Sequence, residues 1–313
     1  MKVTLDLTKL LEEGRITREE HDRLIRLGAA GTGSLAFNIL LGFGVIAVSA
    51  GAVALVPTAM TGIVLGIIVL GAGLSLYAVH AAQWELFAHI CTLVGAIGLA
   101  AGIVIETEAA VGAFLAITLG FALIGIVARS GLLVVLAVLA LSAWIGARTA
   151  YMHAAYFVGV QEPTLTIVTF GILALACYLV STILPGAFER LALQAARTSL
   201  LLVNLGFWIG SLWGDASERL GIRLDSGLFV VLWAAGLLAV GVWGAQQNRR
   251  WVVNCAAVFG AIHFYTQWFE WLGANPMTVL IAGVLALAFA IAIWRFNRTL
   301  FDSGRHRPLS AAA

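Results

Sequence analysis

Residues 60–80 read MTGIVLGIIVLGAGLSLYAVH. The stretch holds no acid, lysine or arginine. At 1.5 Å of rise per residue it is long enough, as a helix, to cross the roughly 30 Å hydrocarbon core of a bilayer. Nine further apolar runs occur, at 33–56, 84–104, 108–128, 131–148, 164–184, 199–213, 227–245, 251–271 and 276–295, of which 199–213 is short and could be lost to leave nine in all. Of the 313 residues, 61% are hydrophobic and 11% charged, against about 45–50% and about 25% in a water-soluble domain. Backbone groups in lipid must be satisfied within their own segment, and the period-two alternation of an outer-membrane barrel is missing. The fold class is therefore all-α: a polytopic membrane helix bundle of about ten transmembrane helices.

The positive-inside rule orients it. With the N-terminus in the cytoplasm and the runs alternating, fifteen of the eighteen Lys and Arg residues fall inside; only Arg148, Arg219 and Arg223 fall outside. Nine crossings would spoil that split, so the sequence predicts ten, with both termini cytoplasmic, in the inner membrane of a bacterial cell. The outer loops collect Glu106, Glu108, Glu162, Asp215, Glu218 and Asp225, which read as solvated loop charge. Most of the ten tryptophans stand near run ends as interfacial anchors. Cys91, Cys177 and Cys255 lie within apolar runs and read as inert thiols.

The domain plan is a cytosolic helical hairpin over 1–31, a ten-helix membrane domain over 32–298 and a disordered cytosolic tail over 299–313. In the hairpin, LTKLLEEG (7–14) stops at Gly14. A second helix over 16–28 starts on a Thr17/Glu20 capping box and stops at Gly28. Leu7, Leu10, Leu11, Ile16, Leu24 and Leu27 can pack between the two. Helices this short need a partner: the membrane domain, a second copy or a cytosolic protein. No signal-peptide pattern is read in 1–31. Residues 185–198 read as a short interfacial helix that offers Arg190 and Arg197 to lipid phosphates. The outer loop 151–163 either lies on the membrane or folds back over a cavity.

The head, with its leucines, the Gly-Arg-Ile-Thr turn (14–17) and the Glu19–Glu20 pair, runs into a polytopic apolar domain that closes on WRFNRTL (294–300). In this the chain resembles a family of bacterial membrane proteins catalogued as domain of unknown function 2157. The resemblance implies a multi-pass membrane protein and carries no activity over to any residue. Internal echoes also occur: Pro163/Thr166/Gly171, Pro276/Thr278/Gly283 and, more loosely, Pro57/Thr61/Gly66. They are either chance in a glycine-rich chain or parallel helix duplications. No inverted five-helix repeat is found.

Polar residues at membrane depth are costly and are the candidate sites. His263, Gln267 and Glu270 share one face of the ninth run. His263 lies about 18 Å in from Trp251, near the midplane. The stripe is either an interhelical hydrogen-bond rail ending in the outer interface or a binding or proton site. Glu85 and His89, one turn apart, are secondary candidates near the cytoplasmic interface. Asn204 with Gly206, Gly210 and Gly214 reads as helix packing, the glycines admitting a close neighbour and the amide bonding to it. No GxSxG, HExxH, P-loop or dinucleotide motif occurs. The expectation is a non-enzyme with no cofactor, no metal and no nucleic-acid partner. The reading is transport of a small or amphipathic solute. The alternative is a membrane sensor or scaffold whose residues 1–31 dock a cytosolic protein.

Overall fold

The structure, a computed structural model, describes residues 10–11, 13–79, 84–152, 155–217, 221–247 and 249–305. It is almost wholly helical. Among the described residues there are ten helices of fifteen residues or more, one for each apolar run. They are α1 (Arg18–Leu55), α2 (Ala59–Ala78), α3 (Glu85–Glu106), α4 (Val111–Val127), α5 (Gly131–Ile145), α6 (Pro163–Ser181), α7 (Gly186–Trp213), α8 (Ser226–Gln246), α9 (Arg250–Leu272) and α10 (Pro276–Arg305). Six of them, α1–α3 and α6–α8, are long and apolar enough to cross a membrane. The apolar stretches of α4, α5 and α10 are shorter. Large apolar side chains lie outside: Leu40 is 71% exposed, Val48 70% and Leu238 71%. Many of the buried positions are small, such as Ala88, Ala96, Ala137, Thr92 and Ser199. That is the inverse of a water-soluble protein and suits lipid as the solvent.

The chain divides into two compact units, 1–144 with 177–195, and 145–176 with 196–313. In the first, α2 and α3 lie against each other along glycines. A Cβ on Gly95 would fall 2.6 Å from Leu70 Cα and 2.8 Å from Gly66 O, and one on Gly102 would fall 2.8 Å from Ala59 O. Two backbones this close permit no side chain between them. Ala96, Ile117, Phe121 and the fully buried Leu133 then close the core among α3, α4 and α5. In the second unit α8 packs on α9 and α9 on α10. Gly244 admits Val252 at 2.9 Å from where its Cβ would stand.

Several expectations change. The helix that begins at Arg18 does not stop at Gly28; it continues through it to Leu55. A glycine stop needs the left-handed conformation, whereas an interior glycine costs only about 1 kcal/mol. The apolar run from 33 carries the helix onward. Gly14 does stop its helix, with φ +67 and hydrogen bonds from Gly14 N to Leu11 O and Arg15 N to Leu10 O. Thr17 and Glu20 form the capping box: Glu20 N donates to Thr17 Oγ1 at 3.2 Å and Thr17 N to Glu20 Oε2 at 2.8 Å. The backbone and hydroxyl bonds from Thr17 hold the Glu20 carboxyl below its ordinary range. Leu7 and the rest of 1–9 lie outside the described residues, as do His80, Glu218, Arg219 and 306–313.

Residues 185–198 and 199–213 are not two pieces but one helix of 28 residues. No glycine or proline separates them, and Ser199 at the join is fully buried. The loop after α5 contains a hairpin. Ala147–Met152 (β1) pairs antiparallel with Ala155–Val160 (β2), Ala147 opposite Val160. A smaller hairpin pairs Asp215–Ser217 (β3) with Ile222–Leu224 (β4). Helix α10 runs to Arg305, so 299–305 is helical rather than tail. The echo of Pro with Thr marks helix starts. Pro163 and Pro276 are first residues, Thr166 Oγ1 donates to Glu162 O, and Thr278 Oγ1 donates to Gly273 O and Asn275 O. Proline at the first helical position is common to both starts.

Candidate functional site

On one side of the first unit α2 and α4 end while α3, α5 and α7 begin. Between these ends lies a cavity of about 650 Å³, within the usual size of small-molecule sites. Helix periodicity aims the lining. On α3, Glu85, Ala88 and His89 stand at i, i+3 and i+4. On α7, Ala187, Arg190, Leu191 and Gln194 stand at i, i+3, i+4 and i+7. Ala88 and Leu191 are buried and apolar, at 1% and 7% exposed, while Glu85, Arg129, Arg190 and Gln194 reach solvent.

Tyr77, in the last turn of α2, stacks at a tilt on His89, ring centroids 5.1 Å apart. The Tyr77 hydroxyl and His89 Nδ1 are both shut off from solvent, and neither has a hydrogen-bond partner among the described residues. A buried polar atom left so costs about 1–3 kcal/mol.

Arg129 arrives by an unusual route. Helix α4 closes with Ser130 N donating to Gly125 O at 2.8 Å and Arg129 N to Ile126 O at 3.3 Å, and Arg129 has φ +50. This closure normally places a glycine there. Its guanidinium lies 5.7 Å over the Phe188 ring. Gly131, the first residue of α5, abuts the Gln194 side chain. Among the described residues neither Arg129 nor Arg190 has a carboxylate within salt-bridge reach. The starts of α3, α5 and α7 add partial positive charge. Glu85 is the single acid of the lining.

No family model, curated protein or solved structure matches this chain. The geometry alone therefore carries the functional reading.

Of the sequence candidates, Glu85 and His89 line this cavity. Tyr77, Arg129, Arg190 and Gln194 join them and are missed by a search for polar residues at membrane depth. The 187/190/191/194 spacing is the signal that could have found two of them. The stripe on α9 is arranged differently. His263 meets Trp233 edge-on at 4.8 Å, Gln267 Oε1 accepts from Trp271 Nε1 at 3.4 Å, and Glu270 is exposed. No hydrogen bond links the three among the described residues. His263 Nδ1 and Gln267 Nε2 are buried without a partner there. A cavity of about 600 Å³ does lie beside α9, but Ala257, Ala261, Tyr265 and Phe269 line it from the opposite face, and it is apolar.

Asn204 joins helices: its Oδ1 accepts from Trp233 Nε1 of α8 at 3.0 Å and its Nδ2 donates to Leu200 O. Gly206 admits Ile167 of α6, Gly210 admits the Phe229 ring of α8, and Gly214, at φ +70, ends α7. Among the described residues no group of three or more His, Cys, Asp or Glu could hold a metal ion.

Proposed function

We propose that this chain is a multi-pass protein of the bacterial inner membrane whose ten helices all cross, with both termini in the cytoplasm. It takes a small amphipathic solute into the cavity at the cytoplasmic ends of α2–α5 and α7 for transport. The carrying observation is the lining, which sets apolar walls from four helices beside Arg129 and Arg190, neither of which has a carboxylate within salt-bridge reach among the described residues. Such a surface suits a molecule with one polar end and one apolar end. The charge split of fifteen against three supports the orientation. The 28-residue α7 supports a crossing where the seventh apolar run alone is short.

The test is thermal stability of the full chain in nanodiscs against a panel of amphiphiles and polar metabolites, for wild type and Ala187→Trp, which fills the mouth. A ligand raises stability by RT ln(1 + [L]/Kd). Stabilisation in wild type that disappears in Ala187→Trp is the expected result. A panel that shifts neither protein refutes the solute reading.

A second reading has one specific observation. The 38-residue α1 joins the capped head to the first membrane segment without a break. A cytosolic protein docked on the head would pull directly on that segment, as a sensor or scaffold requires.

A further inference from the structure

We infer that the cavity of the first unit is an oxyanion site, and that its ligand carries a phosphate or carboxylate group on an apolar tail. This rests on the solute reading above and adds the sign and chemistry of the solute's polar end. Three independent features agree. First, Arg129 and Arg190 come from separate elements, the α4–α5 turn and the first turns of α7, and both line one cavity without an acidic partner among the described residues. Guanidinium forks match oxyanions bidentately. Second, Tyr77 and His89 belong to the same lining and each carries a group able to donate, the phenol hydroxyl and one imidazole nitrogen in the appropriate tautomer; the Tyr77 hydroxyl and His89 Nδ1 have no partner among the described residues. Third, three helices begin at the cavity and two end there, so the backbone field favours an anion on balance. Leu76, Ala88 and Leu191 supply the apolar wall for a tail.

Glu85 opposes this, as a carboxylate on the same lining. Its presence gives the inference a sign test. An anionic ligand gains when Glu85 becomes Gln and loses when either arginine does. A cationic ligand does the reverse.

The experiment measures equilibrium binding to the full chain in detergent for wild type, Arg190→Gln, Arg129→Gln and Glu85→Gln. The probes are dioctanoyl phosphatidic acid, the matching neutral diacylglycerol, glycerol phosphate, octanoate and an alkyl trimethylammonium salt. Arg190 is exposed on a helix, so its variant keeps the fold; unchanged melting of each unliganded variant checks this. We expect phosphatidic acid or octanoate to bind wild type at least ten-fold more tightly than the diacylglycerol. Each arginine variant should lose about ten- to hundred-fold, the scale of one charge-assisted pair, and Glu85→Gln should hold or gain affinity. Binding of phosphatidic acid well above glycerol phosphate identifies a lipid headgroup as the source. Equal binding identifies a soluble phosphate ester. Preference for the ammonium salt, or equal binding of the diacylglycerol, overturns the oxyanion inference and leaves the solute reading standing. If no probe binds wild type, both are overturned.

Discussion

Arg129 makes a quantitative test of the local geometry possible. It stands at φ +50 in the position after the C-cap of α4, where the six-to-one bond from Ser130 N to Gly125 O closes the helix. A side chain in this left-handed region costs about 1–2 kcal/mol. A compensating contact is the Phe188 ring, 5.7 Å away, a cation–π pair of about 0.5–1 kcal/mol for an exposed arginine. Arg129→Gly removes both the strain and the pair and adds about 0.4–1 kcal/mol of unfolded-state entropy. Its stability should therefore lie within about 1 kcal/mol of wild type. Arg129→Ala keeps the strain and loses the pair, so it should lie about 0.5–1 kcal/mol below wild type and about 1 kcal/mol below Arg129→Gly. Glu108 holds the matching place at the end of α3, at φ +51, and Glu108→Gly should stabilise by up to about 1 kcal/mol. The assay is reversible unfolding in mixed micelles of dodecyl sulfate and a mild detergent. If Arg129→Ala is as stable as Arg129→Gly, the strain argument is wrong. If the glycine variant is stable and has lost ligand, the arginine is there for the cavity and not for the turn.

Other perturbations follow from the same geometry. With the native cysteines replaced by alanine, Thr107→Cys and Trp271→Cys should react with a membrane-impermeant maleimide on intact cells, whereas Gln247→Cys should react only after lysis; labelling of Gln247→Cys from outside would sink the ten-crossing topology. Gly95→Leu drives a side chain into the Leu70 backbone of α2 and should cost at least about 2 kcal/mol, while Gly71→Leu, which meets open space, should stay within about 0.5 kcal/mol in the same unfolding assay. Trp233→Phe leaves Asn204 Oδ1 without its donor and should cost about 1 kcal/mol. The Glu20 carboxyl is held below its ordinary range, so its capping contribution is present above the unfolded-state pKa and is lost as pH falls through the lower folded one. Acid titration followed by amide exchange at the start of α1 should show fraying there, and Glu20→Gln should remove that pH dependence; a start that frays equally in both at low pH would argue against the capping carboxylate.

The positions of the ten helices were legible because each is written as a long apolar run, and six of them are long and apolar enough to cross a membrane. Every apolar run became a helix. Their ends were harder to read. Gly28 looks like a stop because glycine is the residue that permits the left-handed turn, yet permission is not a requirement, and α1 passes straight through it. The reverse holds at Arg129 and Glu108, where helices end in a left-handed turn without glycine. The polar stretch 185–198 looks like a separate surface helix by composition. Backbone continuity is set by the absence of a breaker, however, and α7 is one continuous helix. The hairpin of β1 and β2 hides in the sequence because a six-residue strand gives a weak alternation beside ten strong apolar runs.

The cavity was less legible than the fold for a related reason. A search for polar residues at membrane depth finds side chains that are expensive where they stand, and it duly selects His263, Gln267 and Glu270. In the structure two of these sit against tryptophans and the third is exposed. The cavity is assembled instead from helix ends, where a charge costs little and each residue taken singly looks like ordinary interface. Glu85 and His89 were visible as a pair because they share a helix. Arg129 and Arg190 are 61 residues apart by their numbering, and only the antiparallel return of α4 and α7 to one side brings both onto a common lining. Composition can place an arginine at the cytoplasmic rim of a membrane. Whether it meets lipid, water or a bound anion depends on which other helix ends arrive beside it, and that information lies in the packing of small residues such as Gly66, Gly95 and Gly125 along the crossings rather than in the charged residues themselves.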